Sequence, residues 1–535
     1  MKQLFIITIL FFTGLAEAQN TPFSVAIEPM NIEGLGGIQS YAWGQHDGKW
    51  LIVGGRLDGL HQRQPFAAFD AAGHNTQLIV IDPVAKQRWT APLTSLPTGM
   101  QEQLSSTNMQ FYQEGNHLYT IGGYGYSGTV GDHTTYAKLT AINVPATISA
   151  VINSTAITSH FRQISDAKFA VTGGYLNKIY DTYYLVGGQK FLGRYNPMGP
   201  DHGPGFTQEY TDAIHKFTIN DNGTTLTITH LATLSDAANL HRRDYNAVPQ
   251  IMPNGEEGST AFSGVFQTTV DLPFLNSVDI DSSGYTVNNN FSQYYNHYHC
   301  AHIPLYSASQ NEMHTVFFGG IAQYFDSAGT LVQDNDVPFV KTIARVTREG
   351  NGDMAEYKLP IELPSLLGAG SEFIGVEDIS TYPNNVIKLD DLSVDSTLVG
   401  YIYGGISSSA ANIFFTNTGT QSSASSQIFK VYIIKGKTNG IDILNKQSTS
   451  SLQMQVYPNP NKGKFIVQYY LENAQTIEIT IQDNQGKLLK TLTQKSTHGE
   501  NQISQRIEGL TYGGVYFITI TTDTEKATQK IILNP

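Results

Sequence analysis

Short apolar runs that end in paired glycines recur along the chain. "LIVGG" ends at Gly55, "LYTIGG" at Gly123, "YYLVGG" at Gly188, "VFFGG" at Gly320 and "YIYGG" at Gly405. A degenerate copy, "AFSGVF", puts Gly264 where the second glycine belongs. From Gly55 to Gly405 the steps are 68, 65, 76, 56 and 85 residues. Self-similarity at a roughly constant period predicts a repeat architecture. Each unit follows one plan: strand, tight turn, strand ending in Gly-Gly, loop, strand, turn, strand. Asp47-Gly48, Gly115-Asn116, Asn222-Gly223 and Asn254-Gly255 supply the turns, as short hairpins require. No helical periodicity stands out. The pattern therefore predicts an all-β chain of six four-stranded units. "TPFSVAIEPM" (Thr21 to Met30) and "GIDIL" (Gly440 to Leu444) are both spare strands that could complete the last unit.

Strand, strand, Gly-Gly, loop, strand, turn, strand resembles the kelch repeat, from Gly36 to about Gly436. The resemblance implies a six-bladed β-propeller over residues 21–444. It is a divergent one, since only Trp89 occupies the fourth-strand place where kelch units usually carry Trp. Another all-β ring or a pair of sandwiches is the alternative. The long loops after Gly-Gly and before each first strand would lie on the faces of the ring.

After a polar linker at 445–451 the pattern changes. Residues 452–535 read as short alternating strands, the layout of a small immunoglobulin-like β-sandwich. The opening Tyr457-Pro458-Asn459-Pro460, then Gly463 and Phe465, the "GKLL" strand, "LTYGGVYFITI" and Lys530 before the last apolar strand resemble the C-terminal sorting domain of type IX secretion substrates in Bacteroidetes. The resemblance implies export through the outer membrane, with the secretion machinery as a partner. The start agrees. Lys2, the apolar run Leu4 to Leu15 and "AEA" form a signal peptide over residues 1–18, cleaved between Ala18 and Gln19. That run is too short to span a bilayer, and no other stretch is long enough, so no transmembrane segment is expected in the mature protein.

Composition sharpens this picture. The 535 residues include 50 Gly, 29 Tyr and 26 Phe, with 14% charged, the balance of a turn-rich β protein. A net charge of −13 argues against nucleic acid as a partner. A single cysteine, Cys300, excludes an intramolecular disulfide and a cysteine-cluster metal site.

Chemistry concentrates where first strands begin. "FSQYYNHYHCAHIPLY" holds His297, Tyr298, His299, Cys300 and His302. His297 and His299 share a face if extended, an acceptable metal spacing, but backbone-bonded loop histidines explain them as well. Copper radical oxidases on kelch rings use a Tyr–Cys crosslink, which Cys300 beside tyrosines permits; further His and Tyr ligands are not identifiable. The matching segment of the fourth unit offers His241, Arg242, Arg243 and Asp244, the third His160 and Arg162, and the sixth Glu372. Kelch sugar epimerases of the sialic-acid mutarotase type use convergent Arg and acidic groups. Here Arg162, His241, Arg243, Tyr298 and His302 are ligand-binding candidates, and Arg243, His297, His299 and Glu372 catalytic ones; ties between units are the alternative for the Arg-Asp pairs. Asp326, Asp334 and Asp336 look like a calcium loop but lack its spacing. No cofactor or metal is expected. The sequence predicts a secreted or surface protein that binds glycan or protein, with a sugar epimerase or mutarotase as the alternative.

Overall fold

A computed structural model describes residues 22–64, 67–196, 205–327, 329–393, 395–435, 452, 454–457, 463–483, 487–506, 514–523 and 526–533. The leader with Ala18 and Gln19, the segment 440–444 and the linker 445–451 lie outside them. The protein is all-β, and it divides into two compact units, residues 1–437 and 438–535.

The first unit is built on sheets of four antiparallel strands, each opened by an inner strand. The inner strands are Ala42–His46, Thr107–Glu114, Tyr175–Ile179, Asn246–Ile251, His302–Ser307 and Ser371–Gly375. Each second strand carries the apolar run that ends in Gly-Gly, or in Ser263-Gly264 in the fourth sheet.

Period-two alternation sends each second strand's side chains two ways. Leu51 and Val53 pack toward the second sheet with Leu118 and Ile142. Trp50 and Ile52 pack toward the sixth with Tyr401, Tyr403 and Ile428. Equivalent apolar clusters fill every other junction, second to third, third to fourth, fourth to fifth and fifth to sixth. Each fully buried Leu, Ile or Val contributes roughly 1.5–3 kcal/mol, so the cores between sheets hold the unit together.

The glycine pairs are required by that packing. Gly122 and Gly123 have φ of 65° and 90°, where L side chains are strained. A Cβ on Gly122 would overlap the Val171 carbonyl oxygen, because the strand end passes against the chain entering the next sheet. Gly123 N–H donates to that same carbonyl at 3.0 Å, and Gly405 N–H donates to Ile38 at 2.8 Å, joining the last sheet to the first. The degenerate copy keeps the conformation, with Ser263 at φ 53° and Gly264 at 105°.

The strand Ser24–Met30 completes the last sheet, pairing along its length with Ile428–Ile434. Of the two spare strands, the N-terminal one does this work.

Three features depart from the sequence reading. Helix Val144–Ile152 follows the third strand of sheet two, capped by the Asn143 side chain with Pro145 in its first turn, and buries Val144, Ile148 and Val151. A second, shorter helix spans Thr98–Leu104. The loop after Gly123 forms the hairpin strand Asp132–Thr135, which extends the sheet through Gln189–Leu192 and Thr207–Tyr210. Among the described residues no helix is long and apolar enough to cross a membrane.

The second unit places strands Gln455–Tyr457, Lys464–Leu471 and Gly499–Arg506 in one sheet. Leu488–Ser496, Gln475–Asp483, Gly514–Thr521 and Lys526–Leu533 form another. Phe465, Val467 and Leu471 from the first meet Ile479, Ile481, Ile518 and Ile520 from the second in one core. Tyr457 pairs with Ile466 and Lys530 with Phe517 along these ladders, and Gly463 precedes the second strand at φ 87°. Pro458, Asn459 and Pro460 lie outside the described residues.

Candidate functional site

Just before or at the start of each inner strand, one residue joins a closed circle of backbone hydrogen bonds. Ser40 N–H donates to Gly370 at 2.8 Å and Asn108 N–H to Ser40 at 3.1 Å. Gly173 N–H donates to Asn108 at 3.4 Å and Asp244 N–H to Gly173 at 2.7 Å. His299 N–H then donates to Asp244 at 3.0 Å, and Gly370 N–H to His299 at 2.9 Å, closing the circle. Five of these residues have positive φ, between 50° and 69°; His299 is the exception. The circle is a waist. On one side of it lies a cavity of about 510 Å³ walled by the inner strands. On the other lies a cup of about 490 Å³ walled by the loops that follow Gly-Gly. Ser40, Asn108, Asp244 and His299 border both.

At the waist, His299 Nε2 lies 2.7 Å from Glu372 Oε1. Both atoms are shut off from solvent and neither makes an aligned hydrogen bond, so the contact is chiefly one of charge. Burial opposes charging the ring, but the Glu372 carboxylate outweighs it and raises the His299 pKa. Arg243 pairs with Asp244 beside it, and its Nε donates to Tyr210 Oη at 2.9 Å. Burial opposes that charge too; Asp244 more than restores it. Tyr175 stands 5.5 Å from the His299 ring, and its hydroxyl meets no partner among the described residues. Thus a buried His–Glu pair and an Arg–Asp pair meet where the two cavities join.

The structure brings together Arg243, Tyr298, His299 and Glu372. The first three line the cup, and Glu372 reaches it through His299 from the strand-walled side. The other candidates go elsewhere. His297 is 0% exposed, with Nε2 on the Gln293 carbonyl at 2.9 Å and Nδ1 accepting from Gln323 N–H at 3.0 Å. Burial lowers its pKa to about 4, so it is a neutral latch with no nitrogen to spare for catalysis or metal. His302 opens on the strand-walled cavity, Nδ1 bound to the Cys300 carbonyl at 3.0 Å. His241 lies behind the cup wall, stacked 3.7 Å from the Tyr210 ring and bound to Asp212 at 2.6 Å.

Arg162 is not at a channel mouth. The strand Phe161–Ala170 is the outer strand of sheet two, not the opening of sheet three. There Arg162 forks onto Asp221 of sheet three at 2.9 and 2.6 Å, a tie between sheets. His160 sits one turn earlier in the same outer segment.

Cys300 is held by Asn246, at 3.8 Å from its sulfur, rather than by a tyrosine, and burial pushes its thiol up to about 12. Asp326 binds Lys358 at 3.1 Å, while Asp334 accepts from Asn412 at 2.9 Å, so the aspartates of that loop do not converge. Among the described residues no group of three His, Cys, Asp or Glu is placed to hold a metal ion.

Sequence reasoning missed most of the cup wall. Arg56, His61, Arg63, Phe69, Tyr195 and Phe415 come from the loops after Gly-Gly. The available signal was position alone: arginine and aromatic residues soon after a glycine pair.

Residues 455–534 match the secretion system C-terminal sorting domain. A search of curated proteins finds no match. Among solved structures the chain is similar to YjhT, at 10% identity over 75% of this chain and 98% of that one, TM-score 0.39. It is similar to PorZ, a surface component of the type IX secretion system of Porphyromonas gingivalis, at 12% identity over 92% and 59%, TM-score 0.24. It is also similar to a chain of a RAG complex with one melted and one unmelted RSS, at 10% identity over 77% and 100%, TM-score 0.37. At these scores none of the three carries a functional assignment. The sorting domain does: it marks this protein for export by type IX secretion to the cell surface or the extracellular space, and so for contact with that machinery.

Proposed function

We propose that the exported protein is a six-bladed kelch-type β-propeller over residues 21–444, followed by an immunoglobulin-like sorting domain over 452–535, and that it binds glycan in the loop-walled cup. One observation carries the ligand reading. Arg243, Tyr298 and His299 converge at a cup lined by Phe69, Tyr195 and Phe415. Aromatic faces with a few fixed polar groups are what a sugar ring requires. The cup's volume falls in the small-ligand range and argues for a saccharide over a broad protein contact. A glycan array on the mature protein tests this. Retained glycans that are lost on Tyr298→Ala support it, and an empty array counts against it.

The His299–Glu372 pair favours a second reading, a sugar epimerase or mutarotase. A histidine and carboxylate in contact beside a charged Arg–Asp pair could shuttle a proton at a sugar carbon or ring oxygen. A sialic-acid mutarotation assay followed by NMR separates the two readings. Acceleration abolished by Glu372→Gln supports the enzyme; glycan binding without acceleration supports the binder.

A further inference from the structure

One cation of the cup has no acid of its own among the described residues. Three arginines wall the cup: Arg56, Arg63 and Arg243. Arg56 forks onto Asp58 and also reaches the Asp70 carbonyl at 3.0 Å. Arg243 is paired with Asp244. Among the described residues Arg63 makes no ion pair, although most other arginines described in this unit are matched to a carboxylate or to carbonyls. Its guanidinium lies 4.6 Å over the ring of Phe415, and its Nε is shielded from solvent with no acceptor among the described residues. Phe415 is 65% exposed, an apolar face left open beside a positive charge.

His61, two residues away, senses the same field. It stacks on Phe69 at 5.3 Å and meets Tyr195 edge-on at 4.9 Å. Burial, then the positive charge of Arg243, Arg63 and Arg56, lowers its pKa to about 4. The ring is therefore neutral at pH 7, chiefly because it is buried, with the three guanidinium groups adding to the effect. The lining holds three acids: Asp244 is paired with Arg243, and Asp271 and Asp336 are exposed and stand on other loops. Arg63 is thus the arginine of this lining with no carboxylate partner among the described residues.

We infer that Arg63 and Phe415 read an oxyanion, a carboxylate or sulfate ester, carried by a saccharide that occupies the cup. This rests on the glycan reading above. The sugar face lies on Phe415, and the oxyanion binds the guanidinium, whose Nε has no acceptor among the described residues. Such charge-assisted contacts are roughly twice as strong as neutral ones.

Calorimetric titration of the full mature chain tests this with three hexasaccharides: a polyuronate, a sulfated galactan and a neutral glucan. At least one anionic chain should bind about tenfold more tightly than the neutral one, and that advantage should shrink as salt rises. The arm that binds identifies the oxyanion. Arg63→Gln should bring the anionic affinity down to the neutral level and leave the neutral affinity unchanged. Phe415→Ala should weaken every chain that binds, with the melting temperature unmoved. Equal affinity for anionic and neutral chains, or an Arg63→Gln loss shared by both, overturns the oxyanion and leaves the glycan cup standing. Binding of none of the three chains defeats both. If Arg63→Gln fails to fold, the salt dependence of the unaltered protein still decides: an anionic advantage indifferent to salt contradicts the inference.

Discussion

Two cavities of nearly equal volume, about 510 and about 490 Å³, meet at the waist, and they are made in different ways. The first takes wall residues from every inner strand, among them Trp43, Gln110, Tyr175, Ala247, His302 and Phe373. The second takes its walls from loops of unequal length that share no pattern. Each inner strand is tied by a ladder to the second strand of its sheet, and cores fill the junctions between sheets, so the spacing is repeated around the unit. Loops are free to differ: those after Gly123 and Gly188 form short paired strands, while the one after Gly55 forms none. The repeat makes the framework, and the departures from it make the chemistry.

Breaking the framework should therefore be costly, and breaking the cup should not. The largest effect expected is from deleting residues 20–30. That removes the strand paired with Ile428–Ile434 and opens the last sheet, along with buried Phe23, Val25 and Met30. An exposed edge invites aggregation. Gel filtration should find aggregates or an expanded chain; a monomer with an unchanged melt would show that closure is not needed.

Next comes the glycine pair. Gly122→Val combines positive φ with overlap against the Val171 carbonyl, and should cost more than about 4 kcal/mol. Phe415→Ala in the cup should stay within about 0.5 kcal/mol, as exposed sites do. Denaturant midpoints measure both, and similar losses would erase the distinction drawn here.

Arg162→Ala leaves Asp221 buried without its partner, since that carboxylate side chain is 1% exposed. A loss of about 3–5 kcal/mol is expected, with saccharide affinity unchanged. A variant that folds normally but loses ligand would return Arg162 to the binding site.

The smallest effect is a pH dependence, and its sign follows from burial. His61, His297 and His302 are held at about 4 chiefly by desolvation. Unfolded, they titrate near 6.5 and bind protons first, so stability falls as pH drops from about 6.5 toward 4. Glu356 works the other way. Burial raises it to about 8, so its contribution is present below its unfolded pKa and is lost as pH rises through 8. Melting temperature should peak near neutrality and fall on both sides; a melt that rises toward pH 4.5 would contradict these burials.

The same division explains what could be read from the sequence. Gly-Gly was legible because its backbone conformation and the close approach of the next sheet admit little else, and even Ser263-Gly264 kept the geometry. The tail was legible because its motifs are specific. The helix Val144–Ile152 was not, since its Asn143 cap and Pro145 were hidden among residues that continue the strand pattern. Arg162 was misplaced for a related reason: that helix lengthens sheet two, so the next strand closes one sheet instead of opening another. The choice between the two spare strands turned on long-range pairing, which local pattern does not contain. Arg56, Arg63 and Phe415 could not be foreseen because the loops that bear them have no repeat to compare.

The central claim is that ligand enters the loop-walled cup and not the strand-walled cavity. Hydrogen–deuterium exchange with a bound saccharide separates the two directly. The account predicts protection in residues 56–64, 207–210, 266–272, 335–337 and 413–415, with little change in 43–45, 110–115 and 373–381. Protection confined to the second set would place the ligand on the far side of the waist and contradict the account.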